Sequence, residues 1–177
     1  MKRVQTEAVA RFMAKGFDQV TVEEIAAAAD VSAMSVYRWF GTKEALVLWD
    51  EFDPPILAEV DARLADEPPL VAVRNAMVAL LDDVYDRERA LALDRAQLIF
   101  KEPDLLAAGE QNARALRDAL NDLFVTRAGL GELDARAMAA VASALLSTAI
   151  EQWQGLDGRR PLAELITQTF DVLEGSL

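Results

Sequence analysis

The chain contains no cysteine and no histidine. The first absence removes disulfides and thiolate sites; the second removes the commonest metal ligand and general base. Catalysis would have to rest on carboxylates, lysines, tyrosines or hydroxyls, so no enzyme, cofactor or metal site is expected. Positive charge is scarce as well, the net charge being −12. Strand-like alternation, low-complexity tracts and internal repeats are all missing. No apolar run approaches the length of a membrane span and the N-terminus has no signal-peptide apolar region, so a cytoplasmic protein with no membrane partner is expected. What the 177 residues do have is apolar material, 53% of the chain, enough for a well-packed core in one domain or two.

Local punctuation concentrates between Thr21 and Leu46. Thr21 and Glu24 have the spacing of a capping box, in which the threonine oxygen accepts from a backbone N–H and the glutamate reaches back. A helix is therefore predicted from about Val22, with Val22, Ile25, Ala26 and Ala29 on one face. Asp30 suits a left-handed turn position and Ser32 can cap a second helix over about Ala33 to Phe40. Val36 and Phe40 would pack inward with Val31. Gly41 ends this helix, and Thr42 can cap a further one opening at Lys43. The outward face of the second helix has small residues at its start and Tyr37, Arg38 and Trp39 behind them. Small residues let a helix enter a major groove about 12 Å wide, and the larger ones can donate to phosphates or base edges. The alternative is an ordinary helical hairpin.

The pattern Ala10-x-Phe12-x-x-x-Gly16-Phe17, Thr21-Val22-x-x-Ile25-Ala26-x-x-Ala29, Val31-Ser32-x-x-Ser35-Val36-Tyr37-x-x-Phe40-x-x-Lys43-Glu44-x-Leu46 resembles the DNA-binding signature of the TetR family of transcriptional regulators, in register and without gaps. The resemblance implies base-edge contacts from Ala33, Met34 and Tyr37, and phosphate contacts from Thr21, Ser35, Trp39 and Lys43. Met34 would suit a thymine methyl. Tyr37 has an alternative in packing its ring on the neighbouring helix, and Trp39 in core packing. Asp30 departs from the glycine usual at its position, although aspartate tolerates that backbone. Ahead of the first helix stands only Met1-Lys2-Arg3 where relatives often carry a longer basic arm, so arm contacts are not expected.

Charge divides unevenly along the chain. Residues 1–48 carry six basic and six acidic side chains, and residues 49–177 carry twelve and twenty-four. All the excess negative charge thus lies outside the reader, where it opposes nonspecific DNA contact. Lys2, Arg3, Arg38 and Lys43 are the candidate phosphate neighbours. A dimer engaging about three of these per subunit would have a salt slope of about −5.

Beyond Leu46 the chain reads as helices separated by proline and glycine. Lys43 to Phe52 should be interrupted at Asp53-Pro54-Pro55, with later helices over about Leu70 to Tyr85, Ala90 to Lys101, Asp104 to Thr126, Asp134 to Gln154 and Pro161 to Leu173. The expected fold is all-α with about nine to ten helices. It comprises a three-helix helix-turn-helix domain at residues 1–46 and a larger helical ligand-binding and dimerisation domain at residues 47–177.

The helix over residues 135–150 is apolar around most of its circumference and must be covered on more than one side, by a deep monomer core or by a partner. With the final helix it offers Ala139, Ala142, Leu146, Ile150, Leu162, Leu165, Ile166, Thr169 and Phe170 as a homodimer interface, an arrangement the family resemblance also implies. A two-fold dimer would space two recognition helices by about 34–36 Å and select a palindromic operator. A small-molecule pocket is expected among Trp49, Phe52, Met77, Leu81, Tyr85, Arg95, Phe100, Asn121, Phe124 and Trp153, apolar residues with a few polar groups, ordinary core being the alternative for each. Its occupation would shift the helix after Lys43. Val47-Leu48-Trp49-Asp50-Glu51-Phe52-Asp53-Pro54-Pro55 is also similar to a TetR subgroup that binds acyl-CoA-like ligands, which implies such an effector. Arg74, Arg89 and Arg95 would then meet ligand phosphates or else pair with nearby acids. The sequence is thus expected to encode a homodimeric, ligand-responsive DNA-binding regulator, most simply a repressor. The alternative is a dimeric ligand-binding or scaffold protein with little DNA affinity.

Overall fold

A computed structural model describes residues 1–49 and 53–174, the side chains of residues 53, 54, 82–87 and 174 excepted. Among these residues the chain forms nine helices: α1 (Lys2–Lys15), α2 (Val22–Ala28), α3 (Ala33–Phe40), α4 (Ala45–Leu48), α5 (Asp53–Arg63), α6 (Pro69–Lys101), α7 (Pro103–Thr126), α8 (Glu132–Gly155) and α9 (Leu162–Glu174). The fold is all-α, as expected. Two compact units divide it, residues 1–49 with 89–110, and residues 50–88 with 111–177. The first unit therefore contains the end of α6 and the start of α7 in addition to the N-terminal helices.

In the first unit the predicted caps form. Thr21 Oγ1 accepts from the Glu24 N–H at 3.2 Å and Glu24 Oε2 accepts from the Thr21 N–H at 3.0 Å. Ser32 Oγ accepts from the Ser35 N–H at 3.1 Å. Asp30 adopts φ +56°, the left-handed conformation its position requires, and Gly41 closes α3 at φ +78°, where a Cβ would be strained. Val4, Ala8, Val9 and Phe12 of α1 are buried with Val22, Ile25 and Ala26 of α2 and Val36 of α3, and Leu98 and Leu105 complete this core from α6 and α7.

Two expectations about helix bounds are corrected. Leu70 to Tyr85 and Ala90 to Lys101 are one continuous helix, α6, because Asp86-Arg87-Glu88-Arg89 contains neither proline nor glycine to stop the hydrogen-bond ladder. The helix expected from Lys43 opens only at Ala45, with Thr42 Oγ1 accepting from the Ala45 N–H at 3.2 Å. Its expected continuation to Phe52 lies partly outside the described residues.

In the second unit, α8 and α9 pack together. Ala135, Ala139, Ala142, Leu146, Ala149 and Trp153 of α8 are buried, as are Leu162, Leu165, Ile166 and Phe170 of α9. The alanines on the inward face of α8 permit close helix approach. Contrary to the sequence reading, α8 is long and apolar enough to span a membrane by length and composition alone. A third of that apolar window is buried within the chain, and mostly buried core helices meet the same criterion.

Candidate nucleic-acid interface

Geometry at α3 follows from one inward anchor. Val36 is 1% exposed in the core of the first unit, with Val31, Ala33 and Phe40 packed partly against that core. The helical period then turns Met34, Tyr37 and Arg38 outward. Met34 is 80% exposed and Tyr37 48% exposed, large apolar surface that the fold leaves uncovered. Trp39 is also exposed, so the phosphate-contact alternative, rather than core packing, is compatible with its position. Ala33 and Ser35 are half-buried near the helix start, and Ser32 Oγ and Ser35 Oγ lie 2.9 Å apart. Thr21 is exposed at the start of α2.

Lys43 departs from this outward set. Its Nζ donates to the Phe17 carbonyl at 2.6 Å and lies 4.4 Å from the Phe17 ring centroid and 5.5 Å from that of Phe12. The two rings pack 4.8 Å apart. Sequence reasoning missed this use of the ammonium because its carbonyl partner is 26 residues away; the aromatic pair Phe12 and Phe17 was the available signal.

The C-terminal end of α4 is held by two side chains that sequence patterns did not single out together. Gln5, buried in α1, donates from Nε2 to the Trp49 carbonyl at 2.7 Å, and Arg95 of α6 donates from Nε to the Val47 carbonyl at 2.8 Å. A four-residue helix leaves its last carbonyls without intrahelical donors, so these bonds satisfy groups that would otherwise be buried unpaired. Gly109 of α7 closes the same corner, where a Cβ would stand 3.3 Å from Ile99 Cγ2 and 3.7 Å from Leu48 Cδ2. Burial raises the Asp94 carboxyl above its ordinary pKa beside this region of α6.

The expected pocket residues are spread over both units. Trp49, Arg95 and Phe100 belong to the first, and Met77, Leu81, Tyr85, Asn121, Phe124 and Trp153 to the second. Phe52, like the Tyr85 side chain, lies outside the described set. Phe124 and Trp153 are fully buried core residues, while Met77, Leu81 and Asn121 are half-buried. An open groove of about 550 Å³ runs along α9, lined by Val78, Arg160, Ala163, Glu164, Thr167, Gln168 and Asp171, none of them anticipated. Beside it Arg74 pairs with Asp171 at 3.1 Å.

The expected dimer face is out of phase with the exposed one. Ala139, Ala142, Leu146, Leu162, Leu165, Ile166 and Phe170 are already buried by the chain itself, and Ile150 and Thr169 are half-buried, the Thr169 hydroxyl donating to the Ile166 carbonyl at 2.9 Å. Leu133, Ala137, Ala140, Val141, Ala144 and Thr148 form the exposed side of α8. Periodicity cannot tell which side of an all-apolar helix its own fold covers.

Comparison with known proteins matches residues 6–48 to the bacterial regulatory proteins of the tetR family and residues 67–177 to the MftR C-terminal domain. The chain is 32% identical over 131 residues to the HTH-type transcriptional regulator TcmR of Streptomyces glaucescens, a match covering 70% of this chain and 58% of TcmR. It is 26% identical over 176 residues to a protein of Mycobacterium tuberculosis named for regulation of mycofactocin biosynthesis, MftR, covering 96% of this chain and 87% of that one. Its fold is similar to that of Thermus thermophilus FadR, a TetR-family repressor solved with lauroyl-CoA, with a TM-score of 0.60 at 24% identity over 99% of this chain and 94% of that chain. A capped helix pair with an outward-facing α3, followed by helices that match the MftR C-terminal domain over most of their length, identifies this chain as a member of the TetR family.

Proposed function

We propose that this protein is a cytoplasmic transcriptional repressor that binds a palindromic operator as a homodimer and is released by a small apolar or acyl-type effector, acting by binding and not by catalysis. The observation that carries this reading is the uncovered face of α3: Met34, Tyr37, Arg38 and Trp39 stand on a helix anchored by Val36 and begun by a side-chain cap. Ala33, Met34 and Tyr37 are assigned to base edges, and Thr21, Ser35, Arg38, Trp39 and Lys43 to phosphates. DNA reading belongs to residues 1–46, with residues 89–110 packed in the same unit. Ligand binding and dimerisation belong to residues 47–177.

The dimer contact is assigned to the exposed small-residue side of α8, Ala137, Ala140, Val141 and Ala144. Such residues let two helices of a two-fold pair approach closely. An acyl-type effector is supported by the lauroyl-CoA held by the structurally similar FadR. Arg95 supports a route for its effect, since α6 contributes residues to both units and its Arg95 bonds the end of α4. An effector that weakens DNA binding must itself bind the DNA-incompetent state more tightly by the same factor.

The test is fluorescence anisotropy on duplex DNA from the region flanking the protein's own gene, across a salt series. Wild type is expected to bind with a salt slope of about −5, from about three phosphates per subunit. Tyr37→Ala is expected to weaken binding by roughly tenfold or more, the range for one lost base contact. Lauroyl-CoA is expected to release the DNA. No salt-sensitive binding by wild type would sink the proposal in favour of a ligand-binding scaffold.

A further inference from the structure

Resting on the DNA-reading assignment, we infer that Met34 makes the reader specific for the C5-methyl group of a pyrimidine. Thymine is accepted at its position and 5-methylcytosine in thymine's place, whereas uracil and unmethylated cytosine are disfavoured. Met34 is the second residue of α3 and is 80% exposed. The first turn of a recognition helix is the part that reaches base edges, so the chemistry of this side chain decides what is read there.

The surroundings of Met34 leave that chemistry apolar. Val36, 1% exposed, fixes the side of α3 that faces the core, and Met34 stands two residues before it on the opposite side. Ala33 is half-buried and packs partly against the core, and Ser35 is half-buried too. The Ser32 and Ser35 hydroxyl oxygens lie 2.9 Å apart, and Ser32 Oγ also accepts from the Ser35 N–H at 3.1 Å, so the two serines face one another across the helix start. Between them projects a thioether with no N–H or O–H to donate. Tyr37 and Arg38, three and four residues on, bring the donors of the outward side.

In the major groove the base pairs differ in their donors and acceptors, and thymine adds a methyl group that a side chain without donors can recognise. Methionine suits that group because its unbranched thioether adapts to the surface it meets, and because joining two apolar surfaces removes both from water. A methyl at C5 of cytosine stands in the same place on the ring. Uracil is thymine without it.

The experiment is fluorescence anisotropy on the duplex flanking the protein's own gene, with thymine replaced by uracil, first throughout and then one symmetry-related pair at a time. Uracil keeps the pairing with adenine, so each replacement removes methyl groups alone. In wild type one such pair should weaken binding by about fifteenfold, roughly fourfold per half-site, the scale of one buried methyl-sized group in each. Met34→Ala should bind the unmodified duplex more weakly, respond to uracil at that pair by less than about twofold, and keep the wild-type salt slope, since no charge has been removed. With cytosine opposite guanine at the same pair, methylation at C5 should tighten wild-type binding by roughly fourfold per half-site and leave Met34→Ala unmoved. Indifference of wild type to every single replacement would overturn the inference. So would a full uracil penalty in Met34→Ala, which would assign the effect to DNA shape or to another side chain. Wild type that bound no duplex would refute the DNA-reading assignment and this inference with it, whereas binding without methyl dependence overturns this inference alone.

Discussion

The outward sides of α3 and α8 are both apolar in part, yet they are built from different material. On α3 the exposed residues are large and interleaved with donors: Met34, Tyr37, Arg38 and Trp39. Along α8 they are mostly small and lack cations over the central stretch Ala137, Ala140, Val141 and Ala144. A face of the first kind reaches into a groove bordered by phosphates, whereas one of the second kind lets an equally smooth helix lie against it. Charge sharpens the contrast. Residues 1–48 are balanced in charge, while residues 49–177 carry a twofold acidic excess, which disfavours DNA contact outside the reader.

Charging the α8 face should separate the two functions most sharply. Ala140→Glu with Ala144→Glu places four like charges across a two-fold contact and should convert the protein to monomers by analytical ultracentrifugation. Operator affinity should then fall by about 100-fold through loss of the second half-site contact, while the α3 face is untouched. A monomer that still bound the operator tightly would break the division of labour between the helices.

A smaller effect is expected where the end of α4 is held. Arg95→Met removes the donor to the Val47 carbonyl and should cost about 2 kcal/mol in urea denaturation, the range for a hydrogen bond to a charged group. In the same variant, release of DNA by the effector should be blunted. A normal response in the destabilised protein would remove Arg95 from the route between effector and reader.

The smallest effects concern the cap of α2. Thr21→Ala should lower stability by about 1 kcal/mol in thermal or chemical denaturation. The N–H of Thr21, and then the nearby charge of Lys15, hold the Glu24 carboxyl below its ordinary value of 4.5. A lowered folded-state pKa stabilises fully above the ordinary value, and that contribution is lost as pH falls through the lowered one. Glu24→Gln should therefore lower stability slightly at neutral pH, where the contribution is fully present, and flatten its further loss below about pH 4.5. Because Glu24 is exposed, the difference should shrink as salt is added.

The cap residues were legible in the sequence because their partners stand three residues away. Thr21 with Glu24 and Ser32 with Ser35 follow from spacing alone, and so do the bounds of α3 between Ser32 and Gly41. The join between Tyr85 and Ala90 was misread because a charged stretch without proline or glycine is as good a helix as a loop. The side of α8 that the chain covers was not legible for another reason. Its alanines lie on every side, so no moment in the sequence separates Ala139 and Ala142, which the chain covers, from Ala140 and Ala144, which it leaves bare.

By itself, the sequence determined the all-helical class, the placement of the reader and the residue types on its outer face, because each depends on local spacing and backbone preference. Tertiary structure decided what the long-range groups do. Lys43 donates to the Phe17 carbonyl, Gln5 and Arg95 became donors to the end of α4, and residues 89–110 joined the N-terminal unit. In each case a charge, a carbonyl or an apolar face has several partners within reach of its chemistry. Which partner it takes depends on the packing of segments tens of residues away, information that no local pattern contains.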